Sequence, residues 1–264
     1  MSEESAAAPA LGFMLDNVNI LYGTELAVSE VSMVIAESRI TTFIGPSGAG
    51  KTTLLRALNR MNDLVSEIRT EGTIRFRGDD LYAPDADVVA IRRRIGMVFQ
   101  KPNVFPKSIY DNVAYGPRLH RQTANLDELV ERCLVRAGLW QEVKTQLTKS
   151  ALELSGGQQQ RLTIARCLAV DSDVLLMDEP SASLDPMATH SIEELMVELA
   201  EDHTIVLVTH NLQQALRISN DVAFFDAEHR GNEERHGHLV EFGSAEQVFA
   251  DPRDERTKVY LASS

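Results

Sequence analysis

The β-branched run Ile40-Thr41-Thr42-Phe43-Ile44 predicts a strand that stops at Gly45. After it, Leu54, Leu55, Leu58, Met61 and Val65 recur at helical spacing. Strand, glycine-rich turn and helix in that order open a βαβ unit. The alternation returns further on. Val174 to Met177 is a short, wholly apolar strand, as expected where both sheet faces are covered. Ile192, Leu195, Met196 and Leu199 form one helical stripe, and Thr204 to Val208 is a second buried strand. That pattern predicts a parallel sheet flanked by helices. The first 35 residues and the region Thr73 to Arg77 read instead as short strands of an antiparallel lobe. Between about Pro102 and Leu152 strand signals vanish, and Leu126, Leu129, Val130, Cys133, Leu134 and Ala137 give a helical stripe that stops at Gly138. A last strand is expected over His238 to Phe242, after a polar stretch from Glu228 to Gly237.

Composition changes this picture little. The 264 residues are 44% hydrophobic and 25% charged, ordinary globular values that exclude wholesale disorder. Charge removes one class of partner: at −13 the chain lacks the basic face a general nucleic-acid binder needs, so no nucleic acid is expected. Cys133 and Cys167 cannot build a disulfide framework and read as reduced structural thiols. Residues 1–11 read as a flexible tail. Nowhere do 18 apolar residues run together, so a role at a membrane needs another chain's span.

Gly45-Pro46-Ser47-Gly48-Ala49-Gly50-Lys51-Thr52 fits the phosphate-binding pattern G-x-x-x-x-G-K-[ST] at every fixed position. Its glycines let successive backbone N–H groups turn toward a phosphate, Lys51 can reach the β- and γ-phosphates, and the Thr52 hydroxyl can ligate Mg²⁺. An ordinary glycine-rich turn is the bland alternative; the strand before and the amphipathic helix after weigh against it. Val174 to Met177 ends in Asp178 and Glu179, two acids at the carboxyl edge of the sheet where α/β ligands bind. Asp178 suits the Mg²⁺ shell, and Glu179 is placed to polarise an attacking water as general base.

Leu154-Ser155-Gly156-Gly157-Gln158 narrows the choice, because it resembles the signature pentapeptide of the ATP-binding cassette family. Further matches follow in family order over residues 12–250: Tyr22 as the adenine-stacking aromatic, Gln100 in Val98-Phe99-Gln100, Asp185 closing the D-loop, and His210 after the strand Ile205 to Val208. The resemblance implies ATP as substrate, bound by Tyr22, residues 45–52 and Thr53, with Mg²⁺ held by Thr52, Gln100 and Asp178. It implies catalysis by Glu179 with His210 sensing the γ-phosphate. Two copies would pair head to tail, so that Ser155, Gly156, Gly157 and Gln158 act on the partner's ATP. The implied fold is α/β, a P-loop (RecA-like) parallel-sheet core with an N-terminal antiparallel β lobe and a helical insertion subdomain at about 102–160, all within one nucleotide-binding domain, 12–264.

Leu58-Asn59-Arg60-Met61-Asn62-Asp63-Leu64, the stretch Phe99 to Val113 and Ser155 to Arg166 are similar to the ATPase subunits of bacterial high-affinity phosphate importers, the Pst subfamily. That implies two transmembrane permease subunits as partners, a periplasmic or extracellular phosphate-binding protein acting indirectly, and a peripheral place on the cytoplasmic face of the cell membrane. An importer ATPase for phosphonate or a polar amino acid, and a soluble cassette ATPase outside transport, remain as alternatives. The latter group typically carries long coiled-coil insertions or paired cassettes, which this chain lacks. The segment Ala227 to Gly237 is longer than in many relatives; with His229, His236 and His238 among Arg230, Arg235 and three acids, it reads as a solvated hairpin rather than a metal site.

Overall fold

The computed structural model describes residues 10–122, 124–229 and 235–263. Most of the expected tail and the middle of the histidine-containing segment lie outside the described residues. Among the described residues ten strands are formed: β1 (Leu11–Tyr22), β2 (Glu25–Ala36), β3 (Ile40–Ile44), β4 (Ile68–Phe76), β5 (Asp79–Asp80), β6 (Ile95–Val98), β7 (Val174–Asp178), β8 (Thr204–Val208), β9 (Asp221–His229) and β10 (Arg235–Ser244). They pair into one sheet in the order β5-β4-β1-β2-β10-β9-β3-β8-β7-β6. The helices are α1 (Lys51–Ala57), α2 (Val88–Arg94), α3 (Ile109–Leu119), α4 (Leu126–Arg136), α5 (Trp140–Val143), α6 (Gly156–Leu168), α7 (Pro186–Leu199), α8 (Leu212–Ile218), α9 (Ala245–Ala250) and α10 (Glu255–Ala262).

The mixed sheet follows from the two kinds of pattern in the chain. β3, β7 and β8 are buried at every residue and pair in parallel with one another, β6 adding to β7 at the edge. β1, β2 and β4 alternate buried and exposed positions and pair antiparallel, with several bulges. The lobe strands are longer than expected: β1 and β2 have 12 residues each. Between lobe and core stands the antiparallel pair β9–β10, β10 joining β2 and β9 joining β3. β9 carried no expectation, yet its Phe224 and Phe225 bury on opposite faces. Phe225 packs on Phe43, ring centroids 5.2 Å apart.

One helix is shorter than its pattern. α1 ends at Ala57, and Met61–Leu64 form a 3₁₀ turn after Arg60, whose φ is 60°. Buried Asn62 donates its carboxamide N–H to the Thr53 carbonyl at 2.9 Å, and buried Asn59 reaches the Ile95 carbonyl. These amides are satisfied only if the chain folds back, so Leu64 and Val65 end exposed rather than in the core. Between β6 and β7, α3 to α6 pack one cluster against a sheet face, Val113, Val130, Leu134 and Leu162 at its centre. α1 and the lobe cover the other face through Leu54, Leu55 and Phe13. Among the described residues no helix is long and apolar enough to cross a membrane.

Candidate functional site

β3 delivers the chain into the glycine-rich loop. Gly45 has φ 139°, and a Cβ there would lie 2.0 Å from the Phe225 carbonyl oxygen; Gly50 has φ 73°, and its Cβ would meet Val28 at 2.5 Å. At both positions only glycine meets backbone conformation and space together. Gly237 of β10 presses on the loop from behind, since a Cβ there would sit 2.1 Å from the Ala49 carbonyl oxygen. The expected solvated hairpin is therefore corrected at its base, where Gly237 and neighbouring His236 are buried. Gly50 caps α1 with no side-chain hydrogen bond, so backbone N–H groups of the first turn stay available to a ligand.

Lys51 lies under the loop, buried, and its Nζ donates to the Gly45 and Pro46 carbonyls at 2.7 Å each. Burial pushes its pKa below the ordinary range, while Glu179 and Asp178 pull it back up. Thr52 Oγ1 donates to Asp178 Oδ1 at 2.7 Å. Burial raises the pKa of Asp178, against the Thr52 hydrogen bond and the Arg56 guanidinium 3.7 Å away. A hydroxyl and a carboxylate converging here are the hard oxygen donors that Mg²⁺ takes, so the residues present fit that ion.

β7 ends at Asp178, and Glu179 turns the chain with φ 48°, its N–H donating to the Val208 carbonyl at 2.9 Å. A non-glycine residue in that region is uncommon and clusters at functional sites. Two side chains meet its Oε2: Gln100 Nε2 at 3.3 Å and His210 Nδ1 at 3.1 Å. A pocket of about 240 Å³ is lined by residues 47–53, Glu179 and Val208. Tyr22 stands at its flank, 40% exposed, its hydroxyl 3.3 Å from Thr53 Oγ1.

The structure thus brings together Tyr22, residues 45–53, Gln100, Asp178, Glu179 and His210. It places Ser155, Gly156, Gly157, Gln158 and Asp185 in a second group that does not line this pocket. Ser155 caps α6 by accepting from the Gln158 N–H, while Gln158 Oε1 accepts from the Ser155 N–H. Asp185 caps α7, accepting from the Met187 and Ala188 N–H groups at 3.0 Å each. The two starts touch: a Cβ at Gly157 would come 3.0 Å from that of Ala188.

Sequence reasoning missed several supporting residues. Buried Gln214 donates to Ser181 Oγ at 3.0 Å and to Glu193 Oε1 at 3.3 Å, and Arg217 pairs with Glu193 at 2.8 Å. This network ties the turn after Glu179 to the helix after His210. Gln160 of α6 donates to the Phe99 carbonyl at 3.0 Å, linking α6 to the residue before Gln100. The only advance signal was glutamine recurring on helices where apolar residues would bury.

Comparison with known proteins agrees with this geometry. The ABC transporter family model matches residues 28–182. The chain is 54% identical over 261 residues to "Phosphate import ATP-binding protein PstB 2" of Synechococcus sp. (strain JA-3-3Ab), covering 99% of this chain and 98% of that one. It is 52% identical over 250 residues to "Phosphate import ATP-binding protein PstB 1" of Synechocystis sp., covering 95% and 93%. Among solved structures it is similar to a bacterial Atm1-family ABC exporter with ATP bound, at TM-score 0.77 and 26% identity over 97% of this chain and 43% of that one. CbiO1 from Clostridium perfringens, part of the ABC transporter complex cbiONQ, gives 0.76 and 25% over 96% and 97%.

Proposed function

Because the chain belongs to the ABC transporter family, we propose that it is the ATPase subunit that energises import of inorganic phosphate, converting ATP and water to ADP and phosphate. The observation that carries the chemistry is the meeting of Gln100 and His210 on one carboxylate oxygen of Glu179, beside the loop pocket. The solute assignment rests on the names of relatives that match nearly end to end.

In the mechanism, the glycine-loop N–H groups and Lys51 bind the β- and γ-phosphates, with Tyr22 against the adenine. Thr52, Asp178 and Gln100 would hold Mg²⁺, which would supply charge neutralisation on the phosphate oxygens. Glu179 takes a proton from the attacking water, and His210, donating from Nδ1, orients that carboxylate and meets the γ-phosphate. The strained backbone at Glu179 aims its side chain into the pocket instead of along β7.

Residues 12–264 act as one nucleotide-binding domain, with 102–160 as its helical subdomain. Ser155 to Gln158 complete the site of a second copy, head to tail, and Asp185 lies at the same contact. Two permease subunits read the closure and reopening as alternating access, at the cytoplasmic face of the membrane. Selection of the solute falls to the permeases and to an external phosphate receptor. The test is co-purification with the membrane subunits, followed by ATPase assay in vesicles. Stimulation by phosphate-loaded receptor is expected; stimulation only by a receptor loaded with phosphonate or an amino acid would overturn the solute assignment.

A further inference from the structure

β7 and β8 pair in parallel as far as Asp178 and Val208, and the Glu179 N–H still reaches the Val208 carbonyl at 2.9 Å. Beyond that point the ladder ends, and the segments that carry Glu179 and His210 leave the sheet edge as separate turns. Their side chains nevertheless meet, His210 Nδ1 lying 3.1 Å from Glu179 Oε2, although the His210 side chain is 65% exposed. So exposed a contact does not hold two turns together by itself. The side chain that spans them is Gln214, fully buried on α8. Its Nε2 donates to Ser181 Oγ at 3.0 Å and to Glu193 Oε1 at 3.3 Å.

Local bonds tie each end of that bridge to a residue of the site. On one side the Ala182 N–H donates to the Glu179 carbonyl at 3.2 Å, so Ser181 sits within one tight turn of Glu179. On the other, Asn211 caps α8 by accepting from the Gln214 N–H at 3.0 Å, and the Asn211 N–H donates to Thr209 Oγ1 at 3.1 Å, which brackets His210. Glu193 of α7 is buried and held by Arg217 at 2.8 and 3.1 Å. Beside that guanidinium the carboxylate only accepts, so it fixes the Gln214 amide with its NH₂ group toward Glu193 and Ser181. The amide oxygen, buried too, has no partner among the described residues. An apolar side chain would fill the same space without leaving an oxygen unpaired. What the amide adds is the link.

We propose that Gln214 is a positioning residue for hydrolysis, holding the turn after Glu179 to the start of α8 so that base and histidine keep their contact through turnover. This rests on the reading of Glu179 as the base. Gln214 is not among the residues that line the loop pocket, so its loss acts on kcat and leaves KM for ATP in place.

Gln214→Met keeps the length of the side chain and removes both N–H groups. In the purified full chain, kcat should fall roughly 10- to 100-fold, as for a misplaced catalytic group, with KM for ATP within about twofold of wild type. Ser181→Ala removes the acceptor on the other turn and should lower kcat by a similar factor. The double variant should be no slower than the slower single one, because both cut the same link. Met196→Ala opens the apolar cluster under α7 and should lower the melting temperature with kcat near wild type. Wild-type kcat in Gln214→Met, or losses that multiply in the double variant, would overturn the proposal. So would an equal kcat loss in Met196→Ala, which would mean that general loosening of α7 and not the bridge matters. Glu179→Gln, measured alongside, separates the two layers. Turnover lost there but normal in Gln214→Met overturns the positioning role alone; normal turnover in Glu179→Gln overturns the reading of the base, and the positioning role with it.

Discussion

The phosphate loop and the signature turn each offer backbone N–H groups at the start of a helix, yet their glycines are there for different reasons. In the loop, Gly45 and Gly50 adopt positive φ and have backbone or core atoms within 2.0–2.5 Å of a built Cβ. In the signature, Gly156 and Gly157 are helical and meet only Leu184 and Ala188, at 3.4 and 3.0 Å. The first set is dictated by the chain's own interior. The second leaves a smooth helix start capped by its own Ser155 and Gln158, built to be presented rather than to enclose. In the proposed reading one chain holds an assembled binding half and, at exposed Ser155 and Gly156, the start of the half that completes a second copy's site.

That contrast can be broken at either end. The largest effect is expected for Glu179→Gln, which removes the base but keeps the shape: turnover should fall about 100-fold or more, with ATP affinity retained and a trapped dimer visible by light scattering. Normal turnover would remove Glu179 from the mechanism. Lys51→Ala should weaken nucleotide binding by roughly 10- to 100-fold, measured by titration calorimetry, because a charge-assisted contact to phosphate is lost. Ser155→Arg should leave the monomer's nucleotide affinity intact while ATP-dependent dimers weaken about tenfold or more, since a bulky side chain covers the presented turn. Normal dimers in light scattering would erase the distinction between the halves. The smallest effect is for Asp185→Ala, a lost cap that should lower stability by ~1 kcal/mol in urea titration and leave monomer nucleotide affinity unchanged.

Much of the binding half was legible in the sequence because its chemistry is contiguous: Gly45 to Thr52 and Asp178-Glu179 each occupy one turn, so spacing along the chain equals spacing in space. The parallel strands β3, β7 and β8 were legible for a related reason, as burial on both faces leaves short runs of apolar and β-branched residues. What escaped depends on partners remote in the chain. Asn59 and Asn62 mark the end of α1 by reaching the Ile95 carbonyl of β6 and the Thr53 carbonyl of α1 itself, contacts that helical spacing does not reveal. β9 was missed although its two phenylalanines anchor opposite faces of the sheet. Gln214 looks like any polar helix residue until Ser181 and Glu193 are placed beside it. The hairpin base was misread because polar composition says nothing about Gly237 resting on Ala49.

The strand order also sets a timetable. Among the described residues β3 has as neighbours only β8 and β9, which begin at Thr204 and Asp221. During synthesis at ~5–20 residues per second, the wholly buried β3 waits on the order of 10–30 s for a partner. The phosphate loop is thus encoded early and assembled late. A nascent chain stalled before Thr204 carries the complete glycine-rich motif and no formed pocket, and it exposes an unpaired apolar strand for a chaperone to cover.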